Sequence, residues 1–146
     1  MALSISGKVD IPICYGTGGS WFLADNMNSI FGIDIIQRTY NMRIDEQFGY
    51  NYYTQWHTAY VWIANDFTFY LVPIVLLVLM CIFGAAWKDF LQNRNMFALI
   101  LMVLFVEFVF FMPMNNQVFQ HSETLFAFWG VLFAWLLTRK KYSWDI

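Results

Sequence analysis

FTFYLVPIVLLVLMCIFGAAW, residues 67–87, is a run of 21 residues without a charged side chain. At the helical rise of about 1.5 Å per residue, such a helix is as long as the hydrocarbon core of a bilayer is thick. Two further apolar stretches follow, at residues 96–114 and 118–138. The sequence therefore predicts an all-α integral membrane protein with three transmembrane helices.

The composition agrees with a membrane protein. Of the 146 residues, 60% are hydrophobic and 21% aromatic, and only 12% are charged. A soluble domain typically has about 25% charged residues. The net charge of −2 provides no basic surface for nucleic acid, so the lipid bilayer is an expected partner and nucleic acid is not.

Basic residues predict the orientation of the spans. Within residues 67–146 they lie in the first short loop and in the C-terminal tail, at Lys88, Arg94 and residues 139–141, and the loop 115–124 has none. Positive side chains are enriched on the cytoplasmic side. We therefore expect residues 1–66 to form an outward-facing periplasmic and interfacial region, and residues 67–146 to form the three-span membrane region with a cytoplasmic tail.

The N-terminal sequence raises a question about export. Residues 1–13 lack the basic start and apolar run of a signal peptide. We therefore expect the chain to be the C-terminal part of a longer protein whose upstream spans deliver residue 1 to the outer face. The alternative is a short protein with a translocated N-terminal tail.

The outward-facing region contains three types of segment. Residues 14–20 (CYGTGGS) contain three glycines and predict a turn or loop. Residues 21–36 have apolar side chains at near-helical spacing and predict a short helix in the membrane interface. Residues 38–56 are rich in tyrosine and tryptophan, which indicates either an interfacial aromatic belt or a platform for stacking sugar rings.

Residues 58–67 contain no helix breaker, so the first span should extend outward by two or three turns. His57 and Asn65 are eight positions apart and would share a flank if both lay on this helix. Pro73 lies inside the span and is the expected position of a kink.

Glu107 lies near the middle of the second apolar stretch. An ionised carboxylate at that depth costs at least about 2.5 kcal/mol, so such residues usually face a bundle interior, a partner or a water-filled cavity. The alternative is a protonated glutamate that is hydrogen-bonded to another helix.

Amide side chains are concentrated beyond the end of the second span. They follow Pro113, together with a histidine: Asn115, Asn116, Gln117, Gln120 and His121. Such a set can bind the hydroxyls of a carbohydrate, or it can satisfy the last carbonyls of the helix. No serine elbow, zinc-spaced set, calcium loop or dinucleotide fingerprint occurs, so neither a metal nor a cofactor is expected.

Several of these motifs occur together in one protein family. The chain contains, in order, TAYVWIANDF at 58–67, a span, a short basic loop and a second span that ends in PMNNQ at 113–117. This arrangement resembles the C-terminal part of bacterial O-antigen polymerases, which polymerise oligosaccharide repeat units. Gly18 and Gly19 with Trp21 are similar to the large outward loop of that family. The resemblance covers nearly the whole chain, although family members are several times longer and have many more spans.

The resemblance implies glycosyl transfer at the periplasmic face of the bacterial inner membrane. The implied partners are a polyprenyl-diphosphate-linked oligosaccharide, the missing N-terminal spans and other polysaccharide-assembly proteins. Transfer needs a base for the acceptor hydroxyl and a cation for the departing diphosphate. His57 is the first choice for the base, and either Arg38 or Arg43 for the cation, because their spacing would need irregular backbone to act as a pair.

Substrate contacts are assigned to polar residues near the outer ends of the spans: Asn65, Asp66, Asn115, Asn116, Gln117 and His121. The amides among them could instead fix the ends of adjacent helices. Two other functions are compatible with the sequence. One is a non-catalytic membrane partner, and the other is a small transporter subunit with Glu107 along its pathway.

Overall fold

The computed structural model describes Cys14 and residues 16–51 and 57–139. All regular structure in these residues is helical, which confirms the predicted all-α class for this part of the chain. The elements are α1 (Trp21–Phe31), a 3-10 helix (Ile36–Arg38), α2 (Tyr40–Phe48), α3 (Ala59–Asn93), α4 (Met96–Phe111), α5 (Gln117–Gln120) and α6 (Ser122–Thr138).

Two short helices occur in the region before the long helix. α1 ends at Gly32, whose φ of 64° is the left-handed conformation that glycine adopts without strain. α2 begins at Thr39, whose hydroxyl accepts a hydrogen bond from the Met42 N–H at 3.3 Å, and it ends at Gly49 with a φ of 66°. The predicted interfacial helix at residues 21–36 is therefore shorter than expected, because Gly32 terminates it.

α3 is long and apolar enough to cross a membrane, with 35 residues, and no other helix in the described part of the chain reaches that length. α4 and α6 are also apolar but have only 16 and 17 residues. A crossing helix usually needs about 20 residues. The structure thus supports one candidate membrane span.

α3 contains a break near its N-terminal end. Thr68 has a φ of 59° and a ψ of 160°, so it separates the segment 59–67 from the remainder of the helix. Helical dihedrals continue through Pro73, and the break lies at Thr68 rather than at the expected proline. The proline ring crowds the carbonyl four residues earlier, at Phe69, and the break directly precedes that residue.

α4 and α6 pack through one seam of buried side chains. On each helix these positions are spaced three and four residues apart: Ala98, Leu101, Phe105 and Phe108 on α4, and Leu125, Phe128, Leu132 and Trp135 on α6. This spacing places them on a single helix face. The rings of Phe105 and Phe128 meet edge to face with their centroids 5.4 Å apart.

The faces opposite this seam are apolar but uncovered. Phe110 on α4 is 69% exposed, and Leu137 on α6 is 71% exposed. Other exposed apolar side chains on these two helices include Val103, Val106, Phe126, Trp129 and Phe133. Such a surface is typical of helices that contact lipid or other apolar helices.

A buried carboxylate joins three helices at the end of the fold opposite the glycine-rich segment. Asp89 of α3 is only 1% exposed and accepts a hydrogen bond from the indole N–H of Trp135 at 2.8 Å. It also accepts from the side-chain amides of Asn93 at 2.6 Å and Asn95 at 3.1 Å. These three donors fix the ends of α3, α4 and α6 relative to one another.

Candidate functional site

The glycine loop, defined as Cys14 and residues 16–20, is held by the carboxylate of Asp66. One carboxylate oxygen accepts the backbone N–H groups of Gly16 at 2.8 Å and Gly18 at 2.9 Å. The other accepts the N–H of Gly19 at 2.7 Å. Backbone N–H groups of neighbouring residues that converge in this way form an anion-binding nest, and here a carboxylate of the same chain occupies it.

Asn65 connects the glycine loop to the start of α2. Its side-chain amide donates to the Gly18 carbonyl at 2.9 Å and to the Asn41 side-chain oxygen at 3.0 Å. Its side-chain oxygen accepts the Tyr40 N–H at 2.8 Å, and its backbone carbonyl accepts the Cys14 N–H at 2.9 Å. Asn65 therefore has a structural role, and its predicted contact with substrate stays a prediction.

Two glycines of the loop leave no space for a side chain. A Cβ atom on Gly18 would lie 2.6 Å from the Cys14 Cβ and 2.9 Å from the Asn65 Cβ. A Cβ on Gly19 would lie 2.8 Å from an Asp66 carboxylate oxygen. The Gly18-Gly19 pair is thus required by the close approach of the loop to α3.

Asn116 contacts the same loop from the link between α4 and α5. Its side-chain amide donates to the Gly19 carbonyl at 2.8 Å, and the residue is 1% exposed. Its side-chain oxygen is buried and accepts no hydrogen bond from the residues that the structure describes. We refer to the glycine loop, Asn65, Asp66 and Asn116 together as the loop clamp.

Burial raises the pKa of two groups in the loop clamp. Burial raises the pKa of the Asp66 carboxyl, and the N–H groups of Gly18, Gly19 and Gly16 oppose that shift. Burial, with the nearby Asp66 charge, raises the pKa of the Cys14 thiol to about 11. Cys14 is therefore a neutral thiol at physiological pH, which does not suit a nucleophile.

His57, the predicted base, is buried beside Tyr50. It is 2% exposed, and the two rings meet edge to face with their centroids 5.1 Å apart. Burial lowers the pKa of His57 to about 4, so the ring is neutral at physiological pH but is a weaker base than a free imidazole. The expectation that His57 and Asn65 share a helix flank is wrong, because the helix begins at Ala59.

The two predicted cations lie on different elements. Arg38 is exposed at the end of the 3-10 helix, and Arg43 is half-buried in α2. Thr39 between them is extended, with a φ of −70° and a ψ of 151°. The backbone between the arginines is therefore irregular, which is the condition that a joint contact with one phosphate group would need. Arg38 also lies close enough to Cys14 for its charge to lower the pKa of that thiol.

The remaining predicted site residues are spread over the link and the second apolar helix. The Asn115 side-chain oxygen accepts the Asn116 N–H at 2.8 Å. Gln117 begins α5, and His121 is exposed immediately before α6. Glu107 is half-buried on α4, where the apolar side chains of Val103 and Phe110 are exposed. It takes no part in the hydrogen bonds of the loop clamp given above.

A cavity of about 350 Å³ lies next to the loop clamp. Its polar lining comes from the glycine loop, Asp66 and Asn116, and its apolar lining includes Val75 and Leu79 of α3 and Trp129 of α6. Sequence reasoning did not find this cavity or its lining residue Ser20. No local pattern signals them, since the cavity exists only where the loop, α3 and α6 meet.

No known family model matches this chain, and no curated protein or solved structure matches it either.

Proposed function

We propose that this chain is the C-terminal part of a membrane glycosyltransferase that polymerises polyprenyl-diphosphate-linked oligosaccharide repeat units into O-antigen or a related surface polysaccharide. The main support is that three motifs of the resemblance meet in one assembly. Asp66 binds the N–H groups of Gly18 and Gly19, and Asn116 binds the Gly19 carbonyl across 97 positions of sequence. Motifs that bind one another are a more specific signal than the same motifs scattered over a fold.

In this proposal α3, α4 and α6 cross the bacterial inner membrane. The uncovered apolar faces of α4 and α6 support this arrangement, since water would disfavour them. Helices of 16 and 17 residues are about 25 Å long and can cross where the bilayer thins locally or where adjoining residues extend the helix. The loop clamp then lies at the periplasmic face, and Lys88 and Arg94 lie at the cytoplasmic face.

The proposed chemistry moves a glycan from its diphosphate carrier to a hydroxyl of the next lipid-linked repeat unit. The Asp66 carboxylate already accepts three N–H groups, so it is poorly placed to take the hydroxyl proton. His57 is neutral and can accept it. Arg38 is exposed and close to the glycine loop, and we assign it to the phosphate oxygens in preference to Arg43.

Surface polysaccharide in the source bacterium tests the proposal. Deletion of the gene that encodes this chain should collapse the polysaccharide ladder on a gel to a single repeat unit, and the intact gene should restore it. Arg38→Gln should shorten or abolish the ladder at normal protein level, and Arg43→Gln is the matched control. A ladder unchanged by the deletion would contradict the proposal.

A non-catalytic membrane partner is the second candidate function. Its support is Glu107, a carboxylate on a mostly exposed apolar face of α4 that forms no hydrogen bond or ion pair with the described residues. A helix of another protein could cover that face and satisfy the carboxylate. Loss of co-purifying membrane proteins in Glu107→Leu, with an unchanged polysaccharide ladder in Arg38→Gln, would favour this function.

A further inference from the structure

The cavity beside the loop clamp has a polar part and an apolar part. Asp66, which lines the polar part, precedes the break in α3, whereas Val75 and Leu79 lie two to four turns further along the same helix. Trp129 also lies well inside α6 rather than at its beginning. The cavity thus leads from the loop clamp toward the apolar middle of the helices.

Two buried polar atoms at the polar part lack partners among the described residues. They are the Ser20 hydroxyl and the Asn116 side-chain oxygen, and these residues are 3% and 1% exposed. Both residues line the cavity. A buried polar group without a hydrogen bond costs about 1–3 kcal/mol, so a molecule that supplies the missing bonds would be stabilised there.

The chemistry of the polar part selects the head group. The Asn116 side-chain oxygen can only accept, the Asp66 carboxylate can only accept while it is ionised, and the Ser20 hydroxyl can do either. No lysine, arginine or histidine is among the described residues that line the cavity. A phosphate or carboxylate would therefore meet an acidic side chain without a compensating cation, whereas a hydroxyl can donate to Asn116 and pair with Ser20.

The apolar part and the volume select the remainder of the molecule. Most of the lining is apolar, from Ile63 and Phe67 near the loop clamp to Leu79, Phe119 and Trp129 beyond it. A volume of about 350 Å³ lies at the lower end of the range for small-molecule sites, about 300–1,000 Å³. This space fits part of one hydrocarbon chain rather than a whole lipid.

We propose that this cavity binds an amphipathic molecule with an uncharged, hydroxyl-bearing head at Ser20 and Asn116 and a single apolar chain between α3 and α6. Two sources share this chemistry: a neutral bilayer lipid such as a monoacylglycerol, and the sugar end of a glycolipid. The diphosphate of a lipid carrier does not fit this head position. The inference does not depend on glycosyl transfer, since it is tested by binding alone.

Photo-crosslinking of the full chain in lipid nanodiscs tests the inference. A monoacylglycerol with a diazirine in its chain should label peptides that contain Leu79 or Trp129. A fatty acid with the same diazirine chain but a carboxylate head should label them about fivefold less, the ratio expected for one lost hydrogen bond of about 1 kcal/mol. Equal labelling by the two probes would overturn the proposed head-group selection.

Two variants and a matched control separate binding from misfolding. Leu79→Trp fills the apolar part and should abolish labelling, whereas Leu77→Trp, at a position 64% exposed and outside the lining, should not. Ser20→Ala removes the hydroxyl without adding volume and should reduce labelling severalfold while the melting temperature is retained. Equal labelling of Leu77→Trp and Leu79→Trp, or undiminished labelling of Ser20→Ala, would refute the site.

Competition identifies the source of the head group. An excess of unlabelled alkyl glucoside should displace the probe more strongly than unlabelled monoacylglycerol if the natural head is a sugar, and less strongly if it is a glycerol lipid. Either order supports a hydroxyl-bearing head. Failure of both competitors would overturn the proposal, and the polysaccharide ladder remains a separate test of the proposed enzymatic function.

Discussion

Asp66 and Asn65 are adjacent residues that bind the same loop in different ways. Asp66 accepts three backbone N–H groups of the glycine loop, and Asn65 binds the Gly18 carbonyl and the start of α2. Together they satisfy both the donors and the acceptors of a segment that has no regular structure. The sequence could identify this pair as important, but it could not identify the loop as the binding partner.

Replacement of Gly18 tests the close approach of the loop to α3. Gly18→Ala should destabilise the fold by about 1–3 kcal/mol, because its Cβ would overlap Cys14 and Asn65. Gly84→Ala is the matched control, since nothing lies within 4 Å of its Cβ position, and it should be neutral or stabilising by about 0.5–1 kcal/mol. Thermal unfolding in detergent measures both, and a Gly18→Ala variant as stable as the wild type would contradict the described loop packing.

The titration of His57 predicts how stability depends on pH. Burial lowers the pKa of His57 from 6.5 to about 4, so the unfolded chain binds a proton more readily than the folded chain between these values. The stabilisation is therefore complete above about pH 6.5 and is lost as the pH falls toward about 4. His57→Gln should remove this component from the slope of melting temperature against pH, whereas exposed His121→Gln should leave it. Equal slopes in the wild type and His57→Gln would contradict the lowered pKa of His57 as a source of the pH dependence.

At the scale of elements, the helix pattern was largely readable and the break in α3 was not. The TAYVWIANDF segment was expected to extend the first span as helix, and α3 does begin at Ala59, but the helix is interrupted at Thr68. The break lies at Thr68, a β-branched residue that no propensity scale would select for a positive φ. Asp66 of the loop clamp and Pro73 lie on either side of Thr68 in the sequence, and neither one locally signals a break at that residue.

Thr68 provides a test of this break. With a φ of 59° and a ψ of 160° it occupies a region that is nearly exclusive to glycine, where other residues carry about 1–3 kcal/mol of strain. Thr68→Gly should therefore be more stable than Thr68→Ala. At a regular helical position alanine is more stable than glycine by about 1 kcal/mol. Ala85→Gly is the control and should therefore be less stable than the wild type. If alanine were the more stable residue at position 68, the break would not be part of the native fold.

Asp89 shows a second limit of local patterns. It follows Lys88, the residue that ends the charge-free run, and nothing in its neighbourhood indicated that it is buried. In the fold it accepts the indole N–H of Trp135, which lies 46 positions away, and so compensates its own desolvation. Long-range pairs of this kind set the relative positions of α3 and α6, and they cannot be derived from periodicity.

At the scale of the whole molecule, the residues that carry the resemblance assemble around one cavity. The sequence singled out Asn65, Asp66 and Asn116 as polar residues near the outer ends of predicted spans, and all three meet at the glycine loop. Their expected role was contact with substrate, and their observed partners are largely backbone groups. The Asn116 side-chain oxygen and the Ser20 hydroxyl have no hydrogen-bond partner among the described residues, so they are the atoms that can bind a molecule in the cavity. Amide residue types alone do not distinguish these uses, because an amide can bind a backbone or a sugar equally well.

Our central proposal is that the loop clamp lies at the outer end of a membrane-crossing helix, and thiol accessibility tests this proposal most directly. In a chain with Cys14 and Cys81 replaced by alanine, single cysteines are introduced at exposed Asn28 in α1 and exposed Gln92 near the end of α3. We predict that a membrane-impermeant maleimide labels Asn28→Cys in cells with a permeabilised outer membrane, and labels Gln92→Cys only after the inner membrane is disrupted. Labelling of both positions from the same side would contradict the claim.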